Sequence, residues 1–591
     1  MYPRVFVTSG IVVALVARAA AQPAPPPPPP PDGAGSGSAA QVSDEHVREL
    51  VDREVARILS ERATAEARER AQREQETKDA SPQPPGDMGG SSGFFDTRLA
   101  FTFTNENMLV DPGQTIPSVP GWRFGTPNSL GVLFFDNYDT RYSGFETLSH
   151  VVAYRDFHKS HFEAEAAIVV RINELTPNNI ALSDDGSYMV LTNWKDARCS
   201  SAALRTRDCT DPTRISLTAF PVSSDRFRLG YSYRLSWGGD PEYARAVRSA
   251  VPGVKLQYDT DKAYAFVGSK SAVVLDRRTA EDKAAVAFLA GAGYDVSPML
   301  RVEANGGYFD RGYNELVDVN NEKVRLFGAS VQAALHQGMP VQSSIDYRLY
   351  KNNGEQIGKL FAPVFYPGGL SWLVMAEATT IGQTLKDPDQ TGVTKVQWGH
   401  AADVNVRVML DRWRFRGDVS YRDLAFILHT QPSLPTYEDF PKDYQVGADL
   451  FADLGFDRNW HDFLTLGAVV GVEKPATLTS PKGIAGGMVD VAGSSTAVVR
   501  NNNINTLITI LPTGQQALPQ FAIKGTARLD FGRIYAALLE VYYSYDPNVT
   551  NYLRTDPSQP FQYVLCGTVV GGQPTVTCSQ LGVNVTLQAR F

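Results

Sequence analysis

The sequence has few cysteines, no surplus of positive charge and no long hydrophobic run after its amino-terminal segment, and each absence excludes a class of protein. A helical membrane span needs about twenty consecutive apolar residues, and no such run follows the amino terminus. The 591 residues include 56 Lys and Arg against 64 Asp and Glu, so the charge gives no reason to expect nucleic-acid binding. Only 4 cysteines are present. Neither segment that contains them has a His or a further Cys that could complete a metal site.

The common catalytic and cofactor motifs are also absent. The chain has no phosphate-binding loop, dinucleotide fingerprint or His-Glu-x-x-His motif. His158 and His161 lie around a predicted short turn without a third ligand. The stretch 387–392 is similar to the start of a calcium loop, but Trp398 stands where the closing Glu should be. We therefore predict no enzyme, no cofactor and no metal, although a Ser, a His and an acid that meet only in the folded chain stay open as a hydrolase site.

What the sequence does have is alternation of apolar and polar residues. In the last stretch, Leu581, Val583, Val585, Leu587, Ala589 and Phe591 share one parity, and the residues between them are small or polar. A strand of about 9–11 residues crosses a bilayer at a tilt, and apolar residues at every second position are the pattern of a transmembrane barrel. The same pattern recurs at 162–172, 227–237, 300–308, 398–410 and 413–421.

Two late predicted strands have aromatic residues at both ends of the apolar face. Phe521 and Phe531 bracket one aliphatic stretch, and Tyr535 with Tyr543 and Tyr545 brackets the next. Aromatic residues gather where a membrane meets water, so the arrangement indicates girdles at the two interfaces.

The connections between predicted strands alternate between short and long. Short ones are predicted at 156–159, 294–298, 411–412 and 530–533, and long ones at 111–144, 177–213, 475–518 and 546–579. We predict an all-β fold, an antiparallel up-and-down transmembrane barrel of about 18 strands, within about 16–20, with both ends of the barrel segment on the short-turn side. Residues 254–267 fit two short strands or a lumen-folded loop, and 359–365 fit a strand or a loop.

The cysteines form two local pairs, Cys199 with Cys209 and Cys566 with Cys578. Each pair lies in a polar segment, which predicts two loop-closing disulfides in an oxidising compartment. Both pairs fall within the predicted long loops, so we expect both on the extracellular side.

The first hundred residues divide by composition. Residues 1–21 predict a signal peptide, 22–42 a Pro/Gly/Ser-rich linker, 43–79 a charged periplasmic helix or short coiled coil, 80–93 a second linker and 94–591 the barrel. A solvated single helix and an oligomerising one fit 43–79 equally well.

The charged residues on the polar parity are the candidate pore lining. They are Arg228, Arg234, Arg301, Glu303, Asp346, Arg348, Asp403, Arg407, Arg414, Arg416, Asp418, Arg422, Lys524 and Arg528. Arg407, Arg414, Arg416 and Arg422 form a basic stripe on two adjacent strands, which could bias ion passage. The alternative is that these charges pair across strands and only fill a wet interior.

The export signal, the last strand ending in Phe591 and the alternation of turns and loops resemble Gram-negative outer-membrane porins. The resemblance implies a water-filled channel for ions and small hydrophilic solutes, with Phe591 as the signal for the barrel-assembly machinery. It also implies outer-membrane lipid and lipopolysaccharide as surroundings, an amino-terminal region in the periplasm, and a homotrimer as one possible assembly. Two other functions stay open: a structural barrel tethered to peptidoglycan or a periplasmic partner through the helix at 43–79, and a substrate-specific or energy-coupled transporter.

Overall fold

The computed structural model describes most of the chain from residue 90 onward. The described residues are 90–105, 107–109, 121–124, 149–176, 179–200, 209–232, 234–243, 250–276, 278–314, 318–339, 341, 370–387, 390–410, 413–430, 448–456, 464–480, 495–501, 506–531, 535–553, 562–570, 573–574 and 576–590. The predicted signal peptide, first linker and charged helix lie outside them, as do residues 359–365 and Phe591. Residues 90–93 of the second predicted linker are described, and they belong to the first barrel strand, Gly90–Asn105.

Eighteen strands among the described residues pair in chain order, each antiparallel to the next. They are β1 (Gly90–Asn105), β2 (Ser149–Lys159), β3 (Phe162–Thr176), β4 (Tyr188–Trp194), β5 (Arg214–Phe220), β6 (Gly253–Asp259), β7 (Ala263–Asp276), β8 (Glu281–Ser297), β9 (Leu300–Tyr313), β10 (Lys323–Gln337), β11 (Leu370–Lys386), β12 (Thr394–Leu410), β13 (Trp413–Arg422), β14 (Ala448–Phe456), β15 (Leu464–Glu473), β16 (Gln520–Phe531), β17 (Tyr535–Tyr545) and β18 (Ser579–Arg590).

The sheet closes on itself at β1. The first half of β1 pairs with β2, from Gly90 opposite His158 to Arg98 opposite His150. The second half pairs with β18, starting with Arg98 opposite Arg590. Two short strands, Gly121–Phe124 and Asn179–Asp184, extend the sheet at β1 and β3. The fold is therefore a closed antiparallel barrel, and the predicted number of about 18 strands is confirmed.

The barrel has an apolar outside and a polar inside. Ile168, Phe288 and Leu587 on the outer face are 62%, 61% and 51% exposed, whereas Lys524 and Arg528 on the inner face of β16 are 3% and 4% exposed. A protein that folds in water buries apolar residues and exposes charged ones, so this inverted pattern is that of a barrel that crosses a membrane. Tyr535 and Tyr545 are exposed at the two ends of β17, as the predicted girdles require.

Connections between barrel strands emerge alternately at two ends. The end that holds the start of β1 and the finish of β18 also has the two-residue turns at 160–161 and 298–299; we call it the turn end. The opposite end, which we call the loop end, carries most of the long connections. At that end, residues 474–519 contain a separate sheet of Ala476–Ser480, Ser495–Asn501 and Thr506–Leu511.

The prediction of one long loop at 177–213 was wrong, because β4 is a strand of the barrel wall within that range. Trp194 at the end of β4 donates its backbone N–H to the carbonyl of His161 in the turn between β2 and β3. The connection 195–213 therefore lies at the turn end. Its Cys199–Cys209 disulfide is consequently at the opposite end from Cys566–Cys578, which contradicts the prediction that both pairs are extracellular.

Residues 254–267 fall in two strands, β6 and β7, which confirms the prediction of two strands over that of a lumen-folded loop. A short α-helix, Leu424–Ile427, follows β13, and Asp423 caps it by accepting from the backbone N–H of Phe426. Among the described residues, no helix is long and apolar enough to cross a membrane.

Candidate functional site

The connection 221–252 between β5 and β6 folds into the barrel, and we call it the inward loop. Its centre is a small hairpin in which Leu229 and Trp237 exchange two backbone hydrogen bonds of 2.8 and 2.9 Å. Leu229, Leu235 and Trp237 are all buried. The predicted membrane strand at 227–237 is therefore wrong. Its alternation is real, but its apolar side chains face the inside of the barrel instead of lipid.

The tip of the inward loop is held by two polar side chains of the barrel wall. Glu377 of β11 accepts the backbone N–H of Tyr231 at 2.9 Å and that of Ser232. Asn305 of β9 accepts the N–H of Gly230 at 3.0 Å. The tip is thereby fixed across the lumen from the strands where the loop begins and ends.

The tip also needs a glycine. Gly230 has φ +85°, a conformation that favours glycine. A Cβ at this position would lie 2.8 Å from the carbonyl oxygen of Leu235 and 3.2 Å from a carboxylate oxygen of Glu377. Close packing at the tip thus depends on the absence of a side chain.

The apolar residues of the inward loop cover an apolar part of the inner wall. Trp237 packs against Phe309 with ring centroids 5.9 Å apart, and its indole N–H donates to Ser330 at 3.1 Å. Phe227 lies over Gly268 of β7, where a Cβ would come within 2.6 Å of its ring. Small inward residues such as Ala285 and Ala287 leave the volume that these aromatic rings fill. One side of the barrel therefore has a packed core like that of a water-soluble domain.

Two buried cations tie the base of the inward loop to the wall. Lys270 of β7 donates to the carbonyl oxygens of Ser224 and Gly238 at 2.7 and 2.8 Å. Arg311 of β9 donates to the carbonyl of Glu242 at 2.8 Å and lies 3.5 Å from its carboxylate. His429, from the segment after the short helix, is 3.0 Å from the same carboxylate. Two connections of the loop end thus meet at one buried acid.

Carboxylates lie among the described arginines of the predicted basic stripe. Arg407 of β12 stands directly opposite Arg416 of β13. Arg416 bonds to Asp418 at 3.1 Å, and Asn405 donates to the same carboxylate at 2.6 Å while accepting from Arg407 at 2.9 Å. The unfavourable pairing of like charges across strands is therefore relieved by local hydrogen bonds. Arg416 and Asp418 pair within one strand, whereas the alternative that the sequence left open was charge pairing across strands.

Arg234 brings a further positive charge to this wall from the inward loop. It is 4% exposed and donates to the hydroxyl of Ser420 on β13 at 2.6 Å. Asp403, Asp418 and Glu473 lie on three different strands and are all close enough for the charge of Arg234 to act on them. The loop thus places a cation among carboxylates of the wall.

The remaining predicted pore residues occupy several places. Arg228 lies on the inward loop and pairs with Asp225 at 2.6 Å, not on a barrel strand. Arg301 pairs with Asp295 at 2.5 Å near the turn end, and Glu303 accepts from Tyr264 and Gln332. Lys524, Arg528 and Arg422 are buried on inner faces. Asp346 and Arg348 lie outside the described residues, as does the side chain of Arg414.

The sequence did not single out Glu377, Asn305, Lys270 or Ser420, although each of them holds the inward loop. Each lies on a polar parity position like many others, so nothing local distinguishes it. One signal for the loop was available: Gly238, Gly239 and Pro241 directly follow Trp237, and such residues favour a turn soon after a strand.

The turn end has an exposed charged site beside its disulfide. Lys195 and Asp211 pair at 2.9 Å where the connection 195–213 leaves the barrel. Hydrogen bonds from Thr213 and Lys195 lower the pKa of Asp211 to about 2. Across the described residues, no group of three or more His, Cys, Asp or Glu is placed to hold a metal ion.

Comparisons with known proteins give distant structural similarities. No protein-family model and no curated protein sequence matches the chain. The chain is similar to Pseudomonas aeruginosa OccD3 (OpdP), with 8% identity, a TM-score of 0.38 and coverage of 87% of this chain and 96% of that one. It is also similar to Pseudomonas aeruginosa OpdQ, with 7% identity, a TM-score of 0.37 and coverage of 85% of this chain and 98% of that one. For OmpT, an outer membrane protein of Vibrio cholerae, the identity is 9%, the TM-score is 0.30, and the coverage is 86% of this chain and 99% of that one. At these scores the fold assignment rests on the strand pairings and the inverted surface of the barrel itself.

Proposed function

We propose that this chain is an outer-membrane porin through which ions and small hydrophilic solutes diffuse passively. The observation that carries the proposal is the closed eighteen-stranded ring with an apolar outer face and charged inner face. A ring of this size is wide enough to hold a lumen that side chains alone do not fill. The inward loop occupies part of that lumen, so we propose a narrowed channel instead of a wide one.

Orientation follows from the two ends of the barrel. In outer-membrane barrels the short turns face the periplasm and the long loops face outward. The turn end holds the start of the first barrel strand, β1, and the end of the last one, β18. We therefore propose that the region before β1 is periplasmic and that Cys566–Cys578 faces the outside.

The direct test is the current through the purified full chain in a planar lipid bilayer. We expect stable single-channel steps in potassium chloride. A correctly folded barrel that carries no current would refute the proposal. Heat-modifiable migration in detergent gels serves as the check that the barrel has folded.

A variant that lacks residues 43–79 separates the channel from the structural tether. A channel should conduct with or without this segment, whereas a tether should lose its attachment to the envelope without it. The predicted partners, namely the assembly machinery, lipopolysaccharide, peptidoglycan and a homotrimer, stay predictions.

A further inference from the structure

We propose that the outer face of the barrel carries a binding site for a phosphate group of lipopolysaccharide, with Arg325 of β10 as its central residue. The site faces the lipid and not the lumen, so it is independent of what passes through the channel. It rests on the proposed orientation, in which the loop end faces the leaflet that holds lipopolysaccharide.

Arg325 is an exposed side chain on the lipid-facing side of β10. It has the same parity in the strand as Val331 and Leu335, which are 54% and 47% exposed on the outer face. Leu335 lies near the turn end, ten positions away from Arg325 in the strand. At about 3.3 Å per residue and a strand tilt of about 40°, ten residues climb about 25 Å, which is the height of the apolar band of a barrel. Arg325 therefore lies where the apolar band ends and the lipid headgroups begin.

An aromatic row on the outer face lies next to Arg325, on its turn-end side. Tyr308 of β9 stands directly opposite Phe327 of β10. Gly382 of β11 stands opposite Phe327 on one side and Trp398 of β12 on the other. The rings of Phe327 and Trp398 meet edge to face with centroids 5.5 Å apart, and a Cβ on Gly382 would lie 3.0 Å from the ring of Phe327. Exposed aromatic rings mark the membrane interface, so this row places the neighbouring Arg325 at the level of the headgroups.

The charge of Arg325 is available to a partner outside the protein. Asp310 stands opposite it on β9, but the carboxylate of Asp310 accepts a hydrogen bond from the ammonium group of Lys323 at 2.5 Å. Within the contacts of the described residues, Arg325 has no hydrogen bond and no ion pair. A guanidinium group binds a phosphate through two parallel hydrogen bonds. A lipid phosphate at this level would therefore satisfy a cation that the protein itself leaves exposed.

The test is native mass spectrometry of the full-length protein, refolded in detergent so that it carries no lipid from cells. The probes are lipid A with its phosphate groups and the same lipid without them. We expect the wild type to bind the phosphorylated lipid about 10-fold or more tightly than the phosphate-free one, because the phosphate adds charge-assisted hydrogen bonds. Arg325→Gln should weaken binding of the phosphorylated lipid by about 10-fold. Heat-modifiable migration shows that each variant has folded.

Arg155→Gln is the matched control. Arg155 is also an exposed arginine on the outer face, but it lies on β2 near the turn end, on the opposite side of the membrane. Its replacement should leave the affinity for phosphorylated lipid A at the wild-type value. Arg325→Lys keeps the charge but loses the planar fork of donors, so its affinity should lie between those of the wild type and Arg325→Gln.

Three outcomes would overturn the site. The first is equal affinity of the wild type for the two lipids, which would exclude recognition of phosphate and needs no variant. The second is wild-type affinity in Arg325→Gln. The third is an equal loss in Arg155→Gln and Arg325→Gln, because binding would then follow the overall charge of the surface. None of these measurements uses current, so failure of this site and failure of the proposed channel are distinguishable.

Discussion

Replacement of Glu377 by Ala should release the tip of the inward loop. The carboxylate accepts the backbone N–H groups of Tyr231 and Ser232, and both donors are buried. A hydrogen bond contributes roughly 0.5–1.5 kcal/mol, and up to about 3 kcal/mol when one group is charged, so the two together anchor the tip by about 1–6 kcal/mol. A change of that size shifts the ratio of released to anchored loop by roughly 5-fold to 10⁴-fold. Glu377→Gln keeps one acceptor oxygen and should have a smaller effect.

The release can be read by limited proteolysis as well as by current. Arg234 is a trypsin site that is buried in the anchored loop. In Glu377→Ala we expect cleavage after Arg234, identified by mass spectrometry, together with higher and noisier single-channel conductance. The control is Glu540→Gln on β17, a buried carboxylate that lies 3.5 Å from the ammonium group of Lys524 and accepts a hydrogen bond from Asn584 at 3.3 Å. Equal protection of Arg234 in the wild type and in Glu377→Ala would refute the anchoring role of Glu377.

Three further predictions follow from the same contacts. In Gly230→Ala the new residue must adopt a left-handed φ, which costs about 1–2 kcal/mol, and its Cβ would lie 2.8 Å from the carbonyl oxygen of Leu235. We expect partial tryptic cleavage after Arg234. Full protection would contradict the close packing at the tip. The proposed orientation can be tested on intact cells that are treated with a membrane-impermeant reductant and then with a maleimide coupled to a large polymer. The maleimide should label Cys566 and Cys578, and it should reach Cys199 and Cys209 only after permeabilisation. Labelling of both pairs from outside would contradict the proposed orientation. Arg311→Gln leaves the buried Glu242 without its arginine, and loss of one member of a buried pair costs about 3–5 kcal/mol; thermal unfolding in detergent should occur at lower temperature, and an unchanged midpoint would show that His429 compensates alone.

The barrel itself was predictable from sequence because its signal is repeated. Alternation recurs in many strands, and the aromatic residues of β17 mark both ends of the apolar face, so errors in single strands do not change the fold class. Arg98 of β1 lies opposite a residue of β2 and opposite a residue of β18. This closure could not be predicted, because it depends on the register between strands from the two ends of the chain.

The inward loop could not be predicted because alternation does not tell which apolar environment a face meets. Phe227 to Trp237 reads like a membrane strand, but its apolar face packs on a wall lined by small residues such as Ala285 and Ala287. Those alanines have the parity of lumen residues, and only the folded barrel shows that they make room for aromatic rings. The anchors Glu377 and Asn305 are far from the loop in sequence, so their role appears only in three dimensions.

The most direct test of the account is the single-channel conductance of the wild type beside a variant in which residues 226–238 are replaced by a short Gly-Ser linker. The account predicts stable steps for the wild type and larger steps for the variant, because the inward loop narrows the lumen of an open barrel. Absence of current through the folded wild type, or equal conductance of the two proteins, would contradict it.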